Sequence, residues 1–108
     1  MTLADEFEAE CWSAVQQCAS LSPPYRPTVW IGMIERHGAV DAARRLLVSG
    51  DVQSGFERLI RGGRQDLTVE HAVLLPRWAA LFTDADRDAA RWRLRQAGGD
   101  ADPSVASH

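Results

Sequence analysis

Apolar residues recur every three or four positions along most of this chain, and no stretch alternates apolar and polar residues long enough to predict a strand. Leu3, Phe7, Cys11, Val15 and Cys18 form the first row. Trp12 and Ala19 widen it, and the spacing predicts a helix from Thr2 to about Ser20. Thr2 stands where a helix cap is wanted. Asp5, Glu6, Glu8 and Glu10 fall in the early turns, where the helix dipole favours acids. Pro23, Pro24 and Pro27 then interrupt the pattern, because proline lacks the amide hydrogen that a helix interior needs. A second helix is expected from Pro27 or Thr28, with Val29, Trp30, Met33, Ile34 and His37 on its packed side and Gly38 as its stop. A third runs from Ala39 to Val48, with Val40, Ala43, Leu46 and Leu47 inward, and Ser49-Gly50-Asp51 breaks it.

Ser54 and Glu57 have the spacing of a capping box and predict a short fourth helix carrying Phe56, Leu59 and Ile60, stopped by Gly62-Gly63. Thr68 is expected to cap a further helix with Val69, Ala72, Val73 and Leu74, which ends by Pro76. Trp78, Leu81 and Phe82 make a short apolar turn. Thr83 caps a last helix, Asp84 to Ala97, in which Ala85, Ala89, Trp92 and Gln96 form one row and Ala90, Leu94 and Ala97 the next. Gly98-Gly99 ends it, and residues 100–108 read as a loose tail. The stretch that comes nearest to extended backbone is Gln65 to Val69. The fold class that follows is all-α: a single domain over residues 1–99, built as a compact bundle of five or six short helices.

Length and composition agree with that picture. A chain of 108 residues suits one domain that needs no disulfide or metal staple. Hydrophobic residues at 45% exclude a wholly disordered chain. No apolar run approaches the roughly 20 residues of a membrane span. The acidic start lacks the positive charge and apolar stretch of a secretory signal, so a cytoplasmic location with no membrane partner is expected. All twelve basic residues are arginine, and the net charge is −3. Residues 26–64 carry seven Arg against four acids, a weak positive field, so charge alone argues against nucleic acid as a partner. Cys11 and Cys18 would share one helix face with Cα atoms about 10 Å apart, too far for a disulfide, and read as small buried residues.

The chemistry-bearing residues form no complete pattern. Asp84, Asp86 and Asp88 open like a calcium loop, but Ala89 and Arg95 stand where glycine and glutamate are required, and helix-dipole preference accounts for the acids. No CxxC, His cluster, GxSxG elbow or phosphate-binding glycine loop occurs, and no metal or cofactor is expected. His37 ends the second helix, and Asp66, Glu70 and His71 lie close in sequence. Brought together, these four would make a general base or hold a metal. The competing reading is structural: Asp66 and Glu70 pair with Arg58 or Arg93 and tie helices together.

On the last helix, Arg87, Arg91 and Arg95 lie four apart with Asp84 and Asp88 between them, the pattern of a solvated, ion-paired face. Trp12, Trp30 and Trp78 align with apolar rows and read as core. Trp92, between Arg91 and Arg93, reads as a half-exposed aromatic. Tryptophan and arginine are the side chains most enriched at binding hot spots.

Three groups of strings carry a resemblance: IERHGAVDAARRLL over 34–47; SGFERL over 54–59 followed by DLTVE over 66–70; and LFT over 81–83 followed by ARWRL over 90–94. In order and spacing they resemble an uncharacterised family of small bacterial helical domains. Gln65 and Trp92 depart from that pattern, which tends to have an apolar and a polar residue there. The resemblance implies a bacterial, cytoplasmic helical domain and transfers no reaction. With no complete catalytic or metal pattern and an aromatic–arginine surface on the last helix, the expected function is a non-catalytic protein–protein interaction or accessory module, able to self-associate, with Trp92, Arg87, Arg91 and Arg95 at the interface. Two alternatives stand beside it: a small enzyme or metal-dependent catalyst on His37, Asp66, Glu70 and His71, and a nucleic-acid regulator using Arg44, Arg45, Arg58, Arg61 and Arg64.

Overall fold

A computed structural model of the chain describes residues 1–49 and 54–99. Among them are six α-helices: α1 (Leu3–Ala19), α2 (Thr28–His37), α3 (Ala39–Val48), α4 (Ser54–Arg61), α5 (Val69–Leu74) and α6 (Asp84–Gln96). Two 3-10 segments, Gln65–Leu67 and Pro76–Leu81, flank α5, and the described residues contain no strand. The all-α bundle expected from the periodicity is what the chain forms. The break at Gly50-Asp51, the Ser54 capping role and the tail over 100–108 lie outside the described residues and side chains.

Local chemistry starts the helices where the sequence places the caps. The Thr2 hydroxyl accepts from the Asp5 amide at 3.1 Å, and the Asp5 carboxylate accepts from the Thr2 amide at 3.1 Å. Thr83 and Asp86 repeat the device at the head of α6, at 3.1 and 2.9 Å. Thr68 Oγ1 accepts from the His71 amide at 3.2 Å and opens α5.

Gly38 alone separates α2 from α3. Its φ of 79° is open to glycine at little cost, and its amide closes α2 on the Ile34 carbonyl at 2.8 Å. No neighbouring side chain caps α3. Glu8 does so from α1, its Oε1 accepting from the Ala39 amide at 3.0 Å.

α3 is the hub, packed against α1, α2, α5 and α6. Ala39, Ala42 and Ala43 let those neighbours approach closely, and Leu46 and Leu47 fill the space beyond. Phe7 of α1 lies at the centre, edge-on to Trp78 at 5.4 Å and to Phe82 at 5.2 Å. Val73, Leu74, Ala90 and Leu94 close the core from α5 and α6.

Several expected details differ. Ile31 and Ile34 are the buried residues of α2, and Val29 is 57% exposed. α2 is apolar on nearly every side, so periodicity could not say which side α3 would cover. Gln65–Val69 is not extended: residues 65–67 form a 3-10 turn whose end is fixed by the Thr68 amide on the Gln65 carbonyl at 2.9 Å, and Val69 begins α5. Trp12 and Trp30 pack against the core while only partly buried, whereas Trp78 is fully inside.

Candidate functional site

The largest departure from ordinary burial is an ion pair. Arg93 Nε donates to Glu70 Oε2 at 2.8 Å, and each residue is only 2% exposed. Glu70 comes from the first turn of α5, and Arg93 from the buried side of α6, one position before Leu94. Burial pushes the Glu70 carboxyl above its ordinary range, against the opposing pull of Arg93's hydrogen bond and charge. The guanidinium also sits 5.8 Å from the centre of the Phe56 ring. Both charged groups line a small cavity of about 50 Å³ whose walls include Tyr25, Trp30, Phe56 and Leu59.

The four residues considered for catalysis are distributed among different surroundings. Asp66 and His71 line a second cavity of about 210 Å³, with Glu10, Gln17, Trp30 and Trp78. Glu70 lines the first cavity, and His37 lines neither. Asp66 already receives a two-pronged Arg64 fork at 3.2 Å for each bond. His71 Nδ1 is 3.3 Å from the side-chain Nε2 of Gln65. His37 stands at the end of α2, 4.0 Å from Asp41. Among the described residues, no group of three or more His, Cys, Asp or Glu side chains is placed to hold a metal ion.

The cysteines are equally quiet. Both are free and buried. Burial, with the charges of Glu8 and Glu10, pushes the Cys11 thiol up to about 12. Burial also raises Cys18, while Arg64 and Arg58 pull it down. Cys11 is therefore expected to resist a thiol reagent at pH 8 in the folded protein and to react at once in denaturant. Fast labelling of Cys11 without unfolding would contradict the packing of α1.

Most of the Arg-rich middle segment is committed to the fold. Arg44 pairs with Asp86 at 3.5 Å and donates to the Leu81 carbonyl at 2.6 Å, tying α3 to the head of α6. Arg45 pairs with Asp41 at 3.0 Å. Arg58 donates to the Pro23 carbonyl and lies 5.5 Å from the centre of the Tyr25 ring, holding the proline segment on α4. Arg64 is paired as above, whereas Arg61 has no side-chain partner among the described residues.

The outer face of α6 differs from the rest of the bundle. Ala90, Arg93 and Leu94 are buried beneath it, while Ala85, Asp88, Trp92, Arg95 and Gln96 face outward. Trp92 is 51% exposed although it is the largest apolar side chain on the helix. Asp88 binds Arg91 at 3.0 Å along the helix yet keeps 75% of its side chain in solvent. Arg95 has no ion-pair partner among the described residues, and Arg87 is half-buried.

The Glu70–Arg93 tie is one of the structural pairings expected from the sequence, whereas its full burial and the apolar cavity beside it were hard to see there. The available signal for Arg93 was its place among Ala90, Leu94 and Ala97, a charged residue on a buried row.

The fold defines a helical bundle, and comparison with known proteins takes it no further. No family model matches the chain, and neither a curated protein nor a solved structure matches it. Among the described residues no helix is long and apolar enough to cross a membrane.

Proposed function

We propose that this chain is a non-catalytic protein–protein interaction module, an accessory domain of a bacterial cytoplasmic system, which engages its partner through the outer face of α6. One observation carries the reading: half of Trp92 stays in solvent on a helix whose opposite side is anchored in the core. An exposed indole on rigid backbone, flanked by Arg91 and Arg95, supplies large contact area at little entropic cost, as binding hot spots do. A tryptophan that merely sealed the edge of the bundle would be expected to lie flatter and drier.

The catalytic alternative loses support because Glu70 and His37 lie apart from Asp66 and His71, which share one cavity with Asp66 already held by Arg64, and because both thiols are held in their protonated form. The nucleic-acid alternative loses support because Arg44, Arg45, Arg58 and Arg64 are already engaged within the chain.

Trp92→Ala tests the proposal. The variant is expected to fold with a stability within about 0.5 kcal/mol of wild type, as surface substitutions usually do. It is expected to lose at least about tenfold in association, whether with itself by light scattering or with a protein retained on the immobilised chain. A strictly monomeric chain that retains no protein, with the same result for Trp92→Ala, would refute the module.

A further inference from the structure

Resting on that reading, the geometry points to a second copy of this chain as the occupant of the α6 face, docked antiparallel about a twofold axis beside Trp92. The argument begins with where the exposed residues lie. At about 100° per residue, Asp88, Trp92 and Arg95 fall within roughly 60° of one another on the helix surface. All three are exposed, and Ala90 and Leu94, on the other side of the helix, are fully buried. Asp88 and Arg95 are seven residues apart, two helical turns or about 10 Å. Trp92 lies between them.

Along this face an acid, an indole and a base follow one another, with the half-buried Arg91 beside the indole and paired to Asp88. Such a line is its own complement when reversed. A twofold axis midway between positions 88 and 95 sets Asp88 of each copy opposite Arg95 of the other, and it brings the two Trp92 rings side by side at the centre. Arg95, which has no ion-pair partner among the described residues, gains one, and Asp88 is shared between Arg91 of its own helix and Arg95 across the axis. A parallel pair would oppose like charges at both positions. A uniformly charged partner would be matched at one position and repelled at the other.

Contact over two to three helical turns lies well below the roughly 1,200 Å² of a stable interface, so the dimer is weak, with a dissociation constant on the order of 100 µM. Because its polar contacts sit at the rim, added salt weakens it.

Sedimentation equilibrium from about 10 µM to about 1 mM tests this directly, across the range that such a dissociation constant requires. The expected results follow from the pairing. Asp88→Arg puts arginine opposite arginine twice, Arg95→Asp puts aspartate opposite aspartate twice, and each alone weakens the dimer by at least about tenfold. The double variant Asp88→Arg/Arg95→Asp restores both pairs and returns to within about threefold of wild type. An equimolar mixture of the two single variants forms a heterodimer tighter than either homodimer, since one chain then presents two bases and the other two acids. Circular dichroism confirms that each variant is folded, and the mixture rescues association even where a single variant is poorly dimeric. A wild-type chain that remains monomeric at the highest concentration overturns the second-copy occupant. So does a dimer indifferent to these charge changes and to salt. If the chain is monomeric yet retains another protein in a Trp92-dependent way, the self-pairing falls and the interaction module stands. If it is monomeric and retains nothing, both fall.

Discussion

Arg93→Ala is expected to destabilise the protein by about 3–5 kcal/mol, because it strands the Glu70 carboxylate in the interior without its counter-charge. That is a large part of the roughly 5–15 kcal/mol by which a domain of this kind is usually stable. The loss should depend on pH, and its sign follows from Glu70. Burial already raises the folded-state carboxyl above its ordinary value of 4.5, and removing Arg93 takes away the groups that pull it back. A carboxyl raised in the folded state contributes stability that is fully present below its unfolded value and is lost as pH rises through the folded value. Arg93→Ala should therefore be least damaged near pH 4 and progressively worse toward pH 8. Urea unfolding at several pH values reads this out. A loss under about 1 kcal/mol at pH 8 would mean that Glu70 is not buried as described.

Replacing both partners separates stability from specificity. A Glu70→Leu/Arg93→Met variant removes both charges while keeping apolar bulk, and it is expected to lie near wild type or above it, as exchanges of buried ion pairs for packed apolar groups often do. What the pair contributes in that case is register: a buried acid on α5 can be satisfied only when one arginine of α6 faces it. The neighbouring apolar rows would tolerate a rotated α6 more easily.

Trp78→Ala carries the second large effect, a loss of about 3–5 kcal/mol from deleted contacts and the cavity left behind. Trp78 is 2% exposed and meets Phe7 edge-to-face, so its removal also disturbs the Phe7–Phe82 contact. The 3-10 segment Pro76–Leu81 is anchored to the core by this indole and to α1 by Arg77, which lies 4.4 Å from the centre of the Trp78 ring and reaches Glu6 and Glu10 at 4.0 and 3.8 Å. Loss of the near-ultraviolet circular dichroism signal, together with a lower urea midpoint, is the expected signature. A midpoint unchanged from wild type would contradict the central place given to Phe7. Trp92→Ala serves as the control, since it removes the same side chain from the surface.

The parts of the fold that were legible in sequence are those set by near neighbours. Thr2, Thr68 and Thr83 cap helices because their hydroxyls reach an amide three residues on, an interaction contained in a four-residue string. Gly38 stops α2 because its positive φ of 79° suits glycine, again a local matter. Trp92 was legible as a half-exposed side chain from its row on α6, between two arginines.

Long-range matters were not legible. Glu8 caps α3 across a separation of 31 residues, and the acid-rich start of α1 offered no hint that one carboxylate served another helix. Ile31, not Val29, is buried because α3 covers one side of α2, whose residues 29–34 are apolar all round. His37, Asp66, Glu70 and His71 looked like a group because three of them lie within six residues, but helical turns aim adjacent residues in different directions: Glu70 points into the core beside Arg93, whereas His71, one residue on, lines the second cavity with Asp66.

Taken alone, the order of residues determined the helical class, the starts and stops of most helices, and the absence of a strand pattern, since each depends on hydrogen bonds and spacings within a turn or two. Only the tertiary structure decided which side of α2 is inside, that Arg93 rather than Arg58 meets Glu70, and that Asp66 and His71 share a cavity from which Glu70 and His37 are excluded. Those outcomes depend on which helix covers which, and burial there is a property of two surfaces meeting, written in neither string by itself.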